Sequence, residues 1–149
     1  MPDDRPLTPT AQALARGLGR HLAQAGFSTL TELILPNGRR VDVIGIDRAG
    51  TIVVIEIKCS VADFRGDQKW PEYRGYCDRF YFAVPEGFPT DLVQENCGLF
   101  VADAFGAALL RESDEIAVNA ARRRALLLRF ATIAADRLNA ASDPGDGAG

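Results

Sequence analysis

Ile52-Val53-Val54-Ile55-Glu56-Ile57-Lys58 is a run of mostly β-branched residues interrupted by one carboxylate and closed by one ammonium group. Valine and isoleucine favour pleated backbone. A nearly continuous apolar run, rather than an alternating one, predicts a central strand covered on both faces. A carboxylate buried in such a strand is costly unless it is paired or bound to a metal, so Glu56 demands a partner. Residues two apart on a strand share a face, which sends Glu56 and Lys58 out together.

Upstream, Thr31 to Leu35 and Arg40 to Ile46 read as two further strands. They are joined by Pro36-Asn37-Gly38, and Asp47-Arg48-Ala49-Gly50 leads into the strand Thr51 to Lys58. Asn-Gly and a Gly-closed turn supply the positive φ that tight reversals need, which predicts a three-stranded antiparallel meander. Before it, Leu14, Leu18, Leu22 and Ala25 fall on one face of a helix over 9–25, with Thr8 or Thr10 as cap and Gly26 as stop.

After the meander, 61–78 reads as a short helix with Pro71 in a first turn, and Arg79 to Val84 as a fourth strand. A strand-helix-strand unit implies parallel pairing. One or two helical turns over 91–96, a small hairpin (99–102 with 107–111, around Phe105-Gly106) and a long helix over 114–139 complete the chain. The expected fold is α/β: an αβββαβ core with a mixed central sheet flanked by helices, plus a C-terminal helix. Residues 1–141 read as one domain, and Ser142 to Gly149, with nothing to bury, as a disordered tail.

No run of about 18 apolar residues is present, and Met1-Pro2-Asp3-Asp4-Arg5 does not open like an export signal. Cys59, Cys77 and Cys97 are odd in number and widely spaced, fitting neither a disulfide framework nor a paired metal motif. A cytoplasmic, non-membrane protein is expected. The net charge is −3, but its distribution is uneven. Residues 39–79 carry eight basic and seven acidic side chains, whereas 86–115 carry one against seven. DNA, if it is the ligand, should approach the first segment or Arg122 to Arg124 and avoid the second.

Asp42 lies on the strand beside Glu56 and Lys58, so the three can converge. Two adjacent carboxylates repel each other in a low-dielectric site, and a divalent cation with a nearby lysine relieves that. Oxygen ligands of this kind suit Mg²⁺ or Mn²⁺. Asp42, Glu56 and the Ile57 carbonyl would be the ligands, with Lys58 positioning or deprotonating a water or neutralising the transition state. By spacing alone an exposed Glu-Lys pair on an edge strand competes with this reading, and the flanking apolar run argues against it.

Val41-Asp42 followed by Ile55-Glu56-Ile57-Lys58 resembles the PD-(D/E)XK nuclease signature, with Val41 at the proline position. The longer stretch Arg40-Val41-Asp42-Val43, Glu56-Ile57-Lys58-Cys59-Ser60, Asp63 to Tyr73 and Cys77 to Pro85 is similar to the MmcB-like bacterial DNA-repair family, over roughly residues 10–125. The resemblance implies a DNA-repair endonuclease dependent on Mg²⁺ or Mn²⁺, with Asp42, Glu56 and Lys58 catalytic. Many members carry a metal-facing glutamate on the first helix. Here 9–25 has no acidic residue, and Glu32 is the nearby candidate.

Gln68, Lys69 and Tyr73 fall where relatives place phosphate-facing or metal-facing side chains, and are read either so or as a solvated helix face with Tyr73 packed inward. Arg40 joins them as a substrate-binding candidate. Asp63 reads as part of a solvated, salt-bridged helix face, Trp70 as a core residue in preference to one that stacks on a base, and His21 as a packed or capped side chain. The competing function is a non-catalytic module of the same fold that binds damaged or branched DNA or a repair partner. A third reading is a scaffold whose acidic 86–115 face docks a protein. Besides DNA, a recruiting repair protein and a homodimer are the partners to consider.

Overall fold

A computed structural model of the protein describes residues 7–145. Thr8 accepts from Ala11 N–H through its hydroxyl and opens α1 (Pro9–Gln24). The meander follows as β1 (Ser28–Ile34), β2 (Arg40–Ile46) and β3 (Ile52–Ile57), all paired antiparallel. Gly38 and Gly50 take φ of +85° and +87° in its two turns, which a side chain would strain. Asp47 clamps the second turn by accepting from Ala49 and Thr51 N–H.

The chain then crosses over through α2 (Val61–Gly66) to β4 (Arg79–Val84), which lies parallel to β3. β5 (Gly98–Ala102) pairs parallel with β4, and β6 (Ala107–Arg111) returns antiparallel as the expected hairpin. The six strands stand in chain order in one mixed sheet. α3 (Ala120–Ser142) is the last helix. The expected αβββαβ order, mixed sheet and C-terminal helix are thus all present. Residues 1–6 and 146–149, the latter within the expected tail, lie outside the described residues.

Every residue of β3 is buried, as a central strand requires. Val53, Ile55 and Ile57 pack with Leu14 and Leu18 of α1 on one face. Ile52 and Val54 pack with Phe80, Phe82, Leu126 and Phe130 on the other. Each fully buried aliphatic or aromatic side chain here contributes about 1.5–3 kcal/mol. Among the described residues no helix is long and apolar enough to cross a membrane.

Two expectations need correction. The helix expected over 61–78 ends at Gly66, and the chain continues in two 3₁₀ turns, Trp70–Glu72 and Arg74–Tyr76. Gly66 and Gly75 weaken helical backbone, and Pro71 disfavours the α conformation in the residue before it. The C-terminal helix begins at Ala120 rather than 114, capped by Asn119. The segment before it is extended because its N–H groups are spent elsewhere: Ile116 donates to the Asp78 carbonyl and Val118 to the Asp78 carboxylate.

Asp78, 3% exposed, ties these elements together. Its carboxylate accepts from Ile52 N–H (2.7 Å), from Val118 N–H (3.0 Å) and from both Arg123 guanidinium nitrogens (2.6 Å each). Burial alone would raise its pKa. The Arg123 bonds and the two backbone donors outweigh burial and hold it at about 2.

This folded-state value lies below the ordinary 3.8, so the stabilisation is complete above about pH 4 and is lost as pH falls toward 2. The linked contribution is roughly 2 kcal/mol. Asp78→Asn is expected to lose about 3–5 kcal/mol at pH 7, because it strands Arg123 against a neutral partner, and to flatten the acid limb of stability. Urea unfolding at pH 7 and at pH 3 reads both effects. A variant as stable as the parent at pH 7 contradicts this role.

Candidate functional site

The β2–β3 ladder runs from Ile46↔Ile52 to Val43↔Ile55 and stops. The next step in register sets Asp42 opposite Glu56, and here side chains replace the ladder. Asp42 N–H donates to Glu56 Oε1 at 2.9 Å, and Ile57 N–H donates to Asp42 Oδ2 at 2.7 Å. Each carboxylate is oriented through one oxygen by the opposite strand. On the other side β3 stays with β4, since Lys58 N–H donates to the Ala83 carbonyl at 2.9 Å. The sheet therefore opens between β2 and β3, at the carboxyl end of a strand with a parallel neighbour, where ligands of open α/β sheets bind.

A cavity of about 720 Å³ occupies the opening. Asp42, Glu56, Ile57 and Lys58 line it, with Arg40, Asp67, Lys69 and Tyr73 around them and Leu7, Thr8 and Ala11 from the start of α1. Glu56 and Lys58 are only 4% and 5% exposed. The Lys58 ammonium reaches Asp67 Oδ2 at 3.0 Å.

The electrostatics divide sharply. Burial pushes the Asp42 carboxyl up to about 6, against the opposing pull of Ile57 N–H and Lys58. Burial and then the Asp42 charge push Glu56 well above the usual carboxylate range. Burial alone would depress Lys58, but its bond and ion pair with Asp67 raise it, so it remains an ammonium ion. Asp67 is lowered, because the Lys58 bond outweighs its burial. The Tyr73 hydroxyl is raised by burial and then by the Glu56, Asp67 and Asp42 charges, and keeps its proton.

The other expected residues separate into two groups. Arg40, Lys69 and Tyr73 line the cavity. Tyr73 also stacks on Phe80, so it packs inward while bordering the cavity. Gln68 is exposed, donates its amide to the Phe64 carbonyl at 2.7 Å, and is not among the lining residues. Glu32 has a φ of +55°, the only positive value at a non-glycine among the described residues. Its carboxylate accepts from Leu7 N–H at 3.0 Å and lines a second, smaller cavity.

Asp63 accepts from Cys59 N–H next to the Ser60 cap of α2. His21 packs edge-on to Phe100, and Trp70 stacks on Phe80. Arg122 lies over Tyr76, and Arg123 holds Asp78. Sequence reasoning passed over Asp67 as a site residue. It follows Lys58 by nine positions across a helix and a turn, a separation that no strand or helix period connects.

A divalent cation can be tested against this donor set. Among the described residues no group of three or more His, Cys, Asp or Glu side chains gathers. The set is two carboxyl groups hydrogen-bonded to each other and each held through one oxygen by the opposite backbone, with Ile57 lining the same cavity. Mg²⁺ is held in this manner in phosphoryl sites, by one or two carboxylates with waters and substrate oxygens completing the shell. Burial raises both Asp42 and Glu56, and Lys58, committed to Asp67, offsets this only in part, so the residues fit such a cation.

The MmcB-like family, described as DNA repair protein MmcB-like, matches residues 2–145. Among solved structures, SPO1766, a protein of unknown function from Silicibacter pomeroyi, is 44% identical over 95% of this chain and 97% of its own, with a TM-score of 0.89. A repair endonuclease from Pyrococcus abyssi aligns at 21% identity over 67% of this chain and 50% of its own, with a TM-score of 0.44. EndoMS in a complex with double-stranded DNA aligns at 22% identity over 62% and 44%, with a TM-score of 0.30. No curated protein matches the chain.

Removing one charge while keeping the backbone bond should relieve the repulsion. Glu56→Gln is expected to raise the melting temperature in EDTA at pH 7.5, by roughly 3 °C for each kcal/mol gained in a chain of this size. Mn²⁺ is expected to raise the melting temperature of the parent and not of the variant. A lower melting temperature for Glu56→Gln in EDTA would mark Glu56 as an ordinary structural acid.

Proposed function

The chain belongs to the MmcB-like DNA repair protein family, and from that premise we propose that it is a divalent-metal-dependent deoxyribonuclease hydrolysing DNA phosphodiester bonds in the Asp42–Glu56–Lys58 cavity. The observation that carries the reading is a carboxylate pair, Glu56 buried and Asp42 half-buried, cross-bonded by the backbones of two strands beside a buried lysine that stays cationic.

Asp42, Glu56 and the Ile57 carbonyl would hold the cation. When bound, Mg²⁺ or Mn²⁺ supplies an acidified water and charge neutralisation at the phosphate. The chain's own groups do the rest. Lys58, anchored to Asp67, is fixed as an ammonium ion and so serves as an electrostatic partner of the pentacoordinate phosphate rather than as a base. Asp67 acts through Lys58 as a positioning residue. Tyr73 keeps its proton and can donate a hydrogen bond to a phosphate oxygen. Arg40 and Lys69, on the cavity wall, meet the flanking phosphates as cations. A cytoplasmic setting goes with this reading, since Cys59, Cys77 and Cys97 are free thiols.

Incubation of the purified protein with single-stranded, nicked and branched DNA in Mn²⁺ tests the proposal. Cutting is expected for the parent. Asp42→Asn and Lys58→Ala should lose about 10²-fold or more, in line with removal of one preorganised charge partner. Asp67→Asn should lower kcat more than it raises KM. Equal cutting by parent and variants removes the catalytic assignment. DNA binding by an uncut, inactive parent leaves the binding module instead.

A further inference from the structure

The absence of acidic residues from α1 leaves the site with no carboxylate from that helix, but it also makes the helix cationic. Its sequence, PTAQALARGLGRHLAQ, carries Arg16 and Arg20 and no Asp or Glu. Gln12, Arg16 and Arg20 recur every fourth residue and are all exposed, so they form one row on the outer face. Four residues of helix rise separate Arg16 from Arg20 by about 6 Å along the axis.

Most other arginines are already engaged. Arg39 pairs with Glu72, Arg79 with Glu112 and Glu115, and Arg123 with Asp78. Arg129 and Arg137 donate to carbonyls of β1. Among the described residues neither Arg16 nor Arg20 has an ion pair or a side-chain hydrogen bond to hold it.

This row is continuous with the proposed catalytic cavity. Gln12 and Arg16 line a groove of about 330 Å³ with Thr31 and Glu32, and Leu7 lines both the groove and the larger cavity. Among the described residues the one acid in the groove is Glu32, which accepts from Leu7 N–H. We infer that the phosphodiester backbone of one DNA strand leaves the cavity past Leu7 and runs along α1, with Arg16 and Arg20 neutralising two of its phosphates. The inference rests on the reading of DNA as the ligand, though not on cleavage. It also explains how a chain of net charge −3 can bind DNA: the cationic row and the acidic 86–115 segment are separate stretches of the molecule.

The test is a salt titration of binding to a fluorescein-labelled single-stranded thymidine 20-mer, in EDTA so that no cutting interferes. Each neutralised phosphate of a single strand contributes about 0.7 to the slope of log affinity against log salt. Arg16→Ala/Arg20→Ala is expected to reduce the slope by about 1.4 and the affinity by roughly 20-fold near 0.1 M salt. Arg16→Lys/Arg20→Lys should restore the slope, and Arg124→Ala on α3 should leave it unchanged. Melting temperatures verify that all variants are folded.

A slope unaltered in the double-alanine variant overturns the inference while leaving the proposed nuclease intact. So does an equal loss of slope in Arg124→Ala. A parent protein without measurable affinity at low salt overturns the inference together with the reading of DNA as ligand.

Discussion

Glu56 is 4% exposed inside the central strand of the sheet, with a second carboxylate, Asp42, at the next step of the register. Water reaches the buried Glu56 poorly, and side chains take the place of the backbone ladder between the two residues. The opening of the sheet follows from that constraint. Backbone N–H groups that would have served the ladder turn to the carboxylates, β2 parts from β3, and β4 alone continues beside Lys58. The cavity is the space this parting leaves. α1 and the 61–78 segment wall it in because their apolar faces pack on the rest of the sheet.

The molecule holds its acids in two opposite ways. Asp78 meets two backbone donors and a bidentate guanidinium, and its carboxyl falls to about 2. It clips β3, β4, the extended 114–118 segment and α3 together. Asp42 and Glu56 each receive a single backbone donor, and both rise. Lys58 stands nearby but is committed to Asp67, which limits its neutralising effect on the pair. A fold optimised only for stability would not retain two under-compensated acids facing each other on adjacent strands of its sheet. Groups with strongly displaced pKa values gather where proteins do chemistry.

Much of this was legible in the sequence because local rules apply to it. Strand periodicity and turn chemistry placed the meander, and Glu56 within a β-branched run announced the site without reference to any relative. The failures arise where contacts between distant residues override local preference. Asp67 reaches Lys58 only because α2 stops early and a turn folds back. The start of α3 moved from 114 to Ala120 because Asp78, some forty residues earlier in the chain, consumes the N–H groups of Ile116 and Val118. Glu32 shares a strand with residues that follow the register, yet its left-handed backbone turns its carboxylate to Leu7 instead of to the cavity. Arg122 to Arg124 looked like one basic run, and the structure uses Arg122 and Arg123 as packing and ion-pair residues.

We propose that Asp42 and Glu56, only partly offset by Lys58, bind a divalent cation. A crystal of the protein soaked in Mn²⁺, with data collected on the high-energy side of the manganese edge, tests it most directly. The account expects an anomalous peak within ligating distance of the Asp42 and Glu56 carboxylates and the Ile57 carbonyl, abolished in Asp42→Asn crystals. An empty site at saturating Mn²⁺, or a peak that persists unchanged in Asp42→Asn, would contradict it.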